Sequence, residues 1–306
     1  MAAREAMDPR MTQALLSAGI PFREGEPLSR HTTMGVGGEA AVMAFPRSGE
    51  ELRKTLQIRA DLEAPHRVLG GGSNLVVVDE GLDELVVNTE SMKGVTVRED
   101  GAVTAEGGAN LIRTALQTTR GGWRGLESAV GIPGSVGGAA VMNAGAYGFS
   151  ISDVMTEIVV YDEKGERADP PEGWRFHYRG SSIPEGAAVA SIRLRLVPGD
   201  PDELGREIRE LQKARTQSQP VGRNAGCVFK NPERAPAGRL IGFAISQSLG
   251  SSAARAAVVS TAAEPHNNTT DTPLRMSTCP PVSGRPPPSG PAAGARQARD
   301  RPRALP

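Results

Sequence analysis

Cysteine is nearly absent: Cys227 and Cys279 are the only two in 306 residues, and they have no CxxC spacing. A disulfide framework is excluded, and a reducing compartment is implied. Charge imbalance is absent too, with 35 basic residues against 35 acidic ones. No nucleic acid partner or anionic membrane surface is therefore expected. No window approaches the ~18 apolar residues of a membrane span. The charged opening "MAAREAMDPRMTQALL" lacks the apolar run of a signal peptide. Four histidines, His31, His66, His177 and His266, show no metal-ligand spacing, so no metal is expected. Trp123 and Trp174 are expected as packing residues. These absences describe a cytoplasmic protein, expected as a monomer, with no membrane contact.

Glycine is what the chain has in quantity, 37 in all. It is densest in "GGGSN" (70–74) and "GIPGSVGGAAVMNAGAYG" (131–148). Such density implies special backbone angles or something pressed against main chain. "GGGSN" follows an apolar stretch and precedes "LVVV", so it reads as a turn between strands. A turn of this kind can aim successive N–H groups at a pyrophosphate. It is not a P-loop, since no Lys-Ser/Thr follows, and no G-x-G-x-x-G opens a helix. An isolated glycine triplet is more often an ordinary turn. Two glycine loops, each beside a buried strand, are what a flat cofactor with a diphosphate needs: one for the phosphates, one for the ring system.

The remaining pattern is α+β. Residues 8–20 predict a short amphipathic helix ended by Gly19, and "SGEELRKTLQIRA" has a Ser N-cap and an acidic first turn. Asp100-Gly101 centres a hairpin in "GVTVREDGAVTAEGGA", and "EIVVYDEKGER" predicts another. "NLIRTALQTTR" predicts a helix capped by Gly121 and Gly122, and "AAVASIRLRLVPGD" a last strand. "PDELGREIRELQKARTQSQP" predicts a charged helix. This is not a regular βαβ alternation. After about residue 241 the text turns rich in Ala, Ser, Thr, Pro and Arg, with no sustained apolar period, and disorder is expected there.

"VLGGGSNLVV", "GIPGSVGGAAVMNAGAYG", "YRGSS" and "AGCVFKNP", in this order, resemble the UDP-N-acetylenolpyruvoylglucosamine reductase family, shorter type, from about Leu15 to Leu240. The resemblance implies an FAD-binding, two-lobed domain of the PCMH or vanillyl-alcohol-oxidase type, followed by an incomplete C-terminal α/β substrate domain. It divides the chain into a helical lead-in (1–30), the FAD-binding domain (31–198), the start of the substrate domain (199–240) and an unmatched tail (241–306). It implies UDP-N-acetylmuramate dehydrogenase activity in peptidoglycan synthesis, with FAD and NADPH as cofactors and a UDP-sugar substrate.

The resemblance also assigns residues. Gly70, Gly71, Gly72, Ser73 and Asn74 would wrap the FAD diphosphate. Gly131, Pro133, Gly134, Ser135, Gly138, Asn143, Gly145 and Tyr147 would line the flavin. Arg179 would hold the substrate carboxylate, which suits its planar, always-charged fork. Cys227 stands where the family has a serine proton donor; a lone cysteine is otherwise usually a small buried hydrophobe. Lys230 and Asn231 would meet the substrate diphosphate.

The resemblance breaks after "PAGRLI". The family's "VSxxHAN"-like motif and its glutamate near the C-terminus have no counterpart, and Glu264, the one glutamate after Glu233, is given no role. Such a switch in composition is what a reading-frame shift in a GC-rich gene produces. It implies impaired reductase activity and exposed apolar surface around Val228, Phe229 and Leu240. Two alternatives stay open: an FAD-binding protein of this fold without reductase activity, and another PCMH-type oxidoreductase.

Overall fold

A computed structural model describes residues 8–162, 164–218, 229–232 and 237–241. Helix α1 (Pro9–Ser17) starts at the N-cap Asp8, whose carboxylate accepts from Arg10 N, and turns out at Gly19 with φ 70°. Strands β1 (Phe22–Pro27) and β2 (Glu39–Ala44) pair antiparallel. Helix α2 (Gly49–Asp61) begins at Ser48, whose Oγ accepts from Glu51 N. Strands β3 (His66–Leu69) and β4 (Leu82–Asn88) follow, completing a four-stranded sheet in the order β1-β2-β4-β3.

Within that sheet β2, β3 and β4 run parallel, with β4 between the other two. One lobe therefore contains a β2–α2–β3 crossover that the strand-turn-strand pattern concealed. Burial on both faces explains the masking: Leu85 and Val87 face one core and Val86 the other, giving a continuous apolar run. The strand expected in "LVVV" does not form. Residues 75–78 are irregular, and Leu75, Val76 and Val78 are exposed. The segment crosses beside the 33–38 loop instead, where Gly38 N donates to Val78 O and Val77 packs on the sheet.

A second sheet contains β5 (Val95–Val97), β6 (Ala102–Glu106), β10 (Met155–Asp162), β11 (Gly165–Asp169) and β14 (Ala188–Arg195), in the order β11-β10-β14-β6-β5 and antiparallel throughout. Between β6 and β10 lie α3 (Leu111–Arg120), β7 (Trp123–Arg124), α4 (Val136–Val141) and the two-stranded hairpin β8 (Gly145–Ala146) with β9 (Phe149–Ser150). A second small hairpin, β12 (Phe176–His177) with β13 (Gly180–Ser181), precedes β14, and β15 (Val197–Pro198) pairs with β7.

The two sheets share core. Met11 and Leu15 of α1 and Leu52 of α2 pack with Val42 and Leu85 of the first sheet, and with Tyr161, Ala188 and Ala190 of the second. A larger cluster joins the second sheet to α3, α4 and Ile208 of α5 (Pro201–Ser218). Burying each such aliphatic side chain stabilises by roughly 1.5–3 kcal/mol. The lobes are thus held in fixed relation, which fixes the loops between them.

Candidate active site

"GGGSN" leaves the carboxyl end of β3. In open parallel sheets, ligand crevices form outside the carboxyl ends of the strands. The glycines have a specific steric cause. A Cβ at Gly70 would collide with the Ser135 hydroxyl, and one at Gly71 would lie 2.9 Å from the Gly134 Cα. At Gly72, φ is 59° and a Cβ would strike the His31 carbonyl. The hydroxyl of Ser73 donates to Pro133 O at 2.9 Å. The two glycine loops are therefore packed backbone on backbone as one unit. The close approach expected from the glycine density is, at these positions, an approach of the loops to each other.

The packing leaves donors over. Among the described residues, the N–H groups of Gly71, Gly72, Ser73 and Asn74 meet no acceptor. Successive main-chain N–H groups without partners form an anion-binding concavity. Behind Gly72 stands a buried polar cluster that sequence reading left as merely structural or surface. His31 Nε2 lies 2.9 Å from the Glu26 carboxylate, and its Nδ1 lies 3.2 Å from the Asn88 amide. Burial alone would raise the Glu26 pKa, but the hydrogen bond with His31 and the charge of Arg23 hold it below the usual carboxylate value.

The second loop runs from a 3₁₀ turn (Glu127–Gly131) through Pro133 and Gly134 into α4, so it leads into a helix rather than lying beside a buried strand. Ser135 is the N-cap, its Oγ accepting from Gly138 N. Gly137 must be bare because a Cβ there would lie 2.9 Å from Gly107 O. The loop ends in the β8–β9 hairpin, whose two central residues, Tyr147 and Gly148, have φ of 55° and 81°. That is the signature of a type I′ turn, and it presents the Tyr147 ring at the surface.

Four non-glycine residues have positive φ among the described residues, and three belong to the expected site: Asn143 (41°), Tyr147 (55°) and Arg179 (60°). Each costs of order 1–2 kcal/mol, and such strain gathers at functional sites. Arg179 sits at the tip of the β12–β13 hairpin, and three bonds tie that hairpin to the second glycine loop. Arg179 Nη1 donates to Gly145 O at 2.9 Å, Ser181 Oγ to Val141 O at 2.8 Å, and Asn143 Nδ2 to His177 O at 3.3 Å. A groove of about 690 Å³ runs along the hairpin, lined by Trp174, Phe176, His177 and Ser181 among others.

All thirteen glycine-loop residues and Arg179 thus fall in one connected region. Lys230 is exposed, and Asn231 Oδ1 accepts from Ala237 N. Cys227 and Val228 lie outside the described residues, as does the unmatched tail beyond Ile241. Sequence reading missed Arg215, whose Nη1 lies 3.4 Å from where a Gly131 Cβ would be. Its signal was a cation on an otherwise apolar helix stripe.

The fold and the paired loops define a flavin-nucleotide domain of the two-lobed PCMH or vanillyl-alcohol-oxidase type. An FAD binding domain model matches residues 40–169. The UDP-N-acetylenolpyruvoylglucosamine reductase of Synechococcus sp. (strain JA-3-3Ab) is 40% identical over 225 residues, 72% of either chain. The reductase of the same name from Carboxydothermus hydrogenoformans is 39% identical over 232 residues, covering 75% of this chain and 77% of that one. The solved structure of the Thermus caldophilus reductase superposes with a TM-score of 0.62 at 36% identity, over 72% of this chain and 78% of that one. The chain belongs to the UDP-N-acetylenolpyruvoylglucosamine reductase family. The unmatched quarter agrees with the loss of family motifs after about residue 240.

Proposed function

We propose that the chain binds FAD between its two glycine loops and uses it for the NADPH-dependent reduction of UDP-N-acetylglucosamine enolpyruvate to UDP-N-acetylmuramate in the cytoplasm. One observation carries this reading: four successive N–H groups without a partner among the described residues, at the carboxyl end of a parallel strand, locked against a second glycine loop in a chain of this family. Gly71 to Asn74 suit a diphosphate, and the strained segment Asn143–Tyr147 suits a flat ring that must approach main chain.

When bound, FAD supplies the relay that takes hydride from NADPH and passes it to the enol ether. The chain's own residues manage charge and protons. Arg179, tethered to Gly145 O, is poised to hold the substrate carboxylate, where negative charge grows as hydride arrives. Cys227 is assigned the proton for the α-carbon; a thiol with a pKa near 8.5 is protonated at pH 7 yet far more acidic than a hydroxyl. Asn231 and Lys230 are both assigned to the substrate diphosphate. We read 31–198 as the FAD-binding unit and 199–240 as the start of a substrate-binding unit. No residue is assigned the role of the family's C-terminal glutamate, so substrate reduction is expected to be slow.

Purified full-length protein tests this directly. A flavin spectrum, together with NADPH oxidation that depends on UDP-N-acetylglucosamine enolpyruvate, is the expected result. NADPH oxidation indifferent to that substrate would leave only the second reading, an FAD-binding protein of this fold without reductase activity. Exposure of Phe229 and Leu240, 52% and 43%, favours that second reading.

A further inference from the structure

Helix α5 lays one stripe against the FAD-binding unit: Leu204 and Ile208 buried, Leu211 and Arg215 half-buried. Their spacing of four, three and four residues puts all of them on one helical face. Arg124 clamps the same helix, reaching Glu207 at 3.0 Å and Glu203 at 3.3 Å. The helix is thereby held on the 3₁₀ turn Glu127–Gly131. At the end of the stripe, where a further aliphatic residue would complete the seal, the chain has a guanidinium. Arg215 Nη1 and Cδ lie 3.4 and 3.6 Å from the position of a Cβ on Gly131, and the Tyr147 ring lies 4.0 Å from the same point. Gly131 is itself buried. A Cβ on Gly131 would make only ordinary van der Waals contact there, so the arginine does not require the glycine; the geometry sets a cation directly against the segment assigned to the flavin.

We propose that Arg215 is a cationic contact of the cofactor, separate from the substrate-holding Arg179, and stabilises the negative charge that the isoalloxazine ring takes on when reduced. This rests on the FAD reading above. Hydride from NADPH carries two electrons and one proton to a neutral ring, NADP⁺ departs, and the ring is left with one negative charge. A fixed guanidinium at a half-buried edge lowers the energy of that charged state more than the neutral one. Arg suits the place because it stays charged and lies flat against a ring.

The test is the midpoint potential of bound FAD, measured on the full chain by equilibration with a reference dye. Arg215→Met is expected to retain FAD while biasing the couple about tenfold toward the oxidised form, about 30 mV for two electrons. Arg215→Lys is expected to fall between, and Arg209→Met, on the exposed side of α5, to match wild type. Arg215→Met with bound FAD and an unchanged potential overturns the proposal, including the case in which only the KM for the UDP-sugar changes. If Arg215→Met sheds its FAD, Arg215→Lys decides: a lowered potential supports the proposal and an unchanged one overturns it. A wild-type chain that takes up no FAD overturns the FAD reading itself, a different failure.

Discussion

Ser73 and Pro133, sixty residues apart, are joined by a 2.9 Å hydrogen bond from hydroxyl to carbonyl. The bond turns two loops into one cradle, and Gly134, with φ of 123°, leaves just enough room for it, since a Cβ there would lie 2.6 Å from Ser73 Oγ. Ser73→Ala removes a bond worth about 1 kcal/mol. The expected result is an FAD dissociation constant raised about fivefold, with little change in melting temperature, read by quenching of FAD fluorescence. An unchanged constant would mean the loops hold together without it.

Gly72 and Gly148 both have positive φ, 59° and 81°, but differ in surroundings. A Cβ at Gly72 meets the His31 carbonyl, whereas nothing lies within 4 Å at Gly148. Gly72→Ala is expected to cost about 2–3 kcal/mol, through strain and forced backbone movement. Gly148→Ala is expected to cost about 1 kcal/mol, from backbone strain alone. Denaturant midpoints compare them, and equal losses would contradict the packing account.

Arg179 holds φ of 60°, a conformation glycine adopts without penalty. Arg179→Gly is therefore expected to be more stable than Arg179→Ala by about 1 kcal/mol. Both variants are expected to lose substrate reduction while NADPH still bleaches the flavin. Stopped-flow absorbance separates the two half-reactions; a slowed first half-reaction would move Arg179 away from the substrate.

Cys227→Ala is expected to give the same split, with flavin reduction by NADPH intact and flavin reoxidation by the enol ether lost. Cys227→Ser is expected to restore part of it. Full turnover in the alanine variant would remove the thiol from the mechanism.

The Glu26 cluster sets an acid limit. With its folded pKa below the usual carboxylate value of about 4.3, Glu26 contributes stability that is complete above that value. That stability is lost as pH falls through the lower, folded value. Glu26→Gln is expected to be less stable at pH 7 and to lose less stability between neutral pH and about pH 3. Parallel stability–pH curves for the two proteins would refute the assignment.

Local signals were legible where one residue suffices to make them. Ser48 caps a helix through its own side chain, and Asp100-Gly101 turns a hairpin. What pairs with what was not legible. Leu75 to Val78 have strand chemistry, but the ladder position beside β3 is taken by β4, which arrives later in the chain. The glycine runs announced close approach without naming the approaching atoms, which proved to be Ser135, Gly134 and the His31 carbonyl. Arg215 was hidden for the same reason: its meaning depends on Gly131, eighty-odd residues earlier, and no local period joins them.

The most direct measurement is the flavin content of the full-length protein after incubation with excess FAD and gel filtration, read as 450 nm against 280 nm absorbance. One FAD per chain in the wild type, falling to a small fraction in Gly72→Ala under conditions where that variant is still folded, is the predicted result. A wild-type protein that emerges colourless, or a folded Gly72→Ala protein that keeps a full complement of flavin, would contradict it.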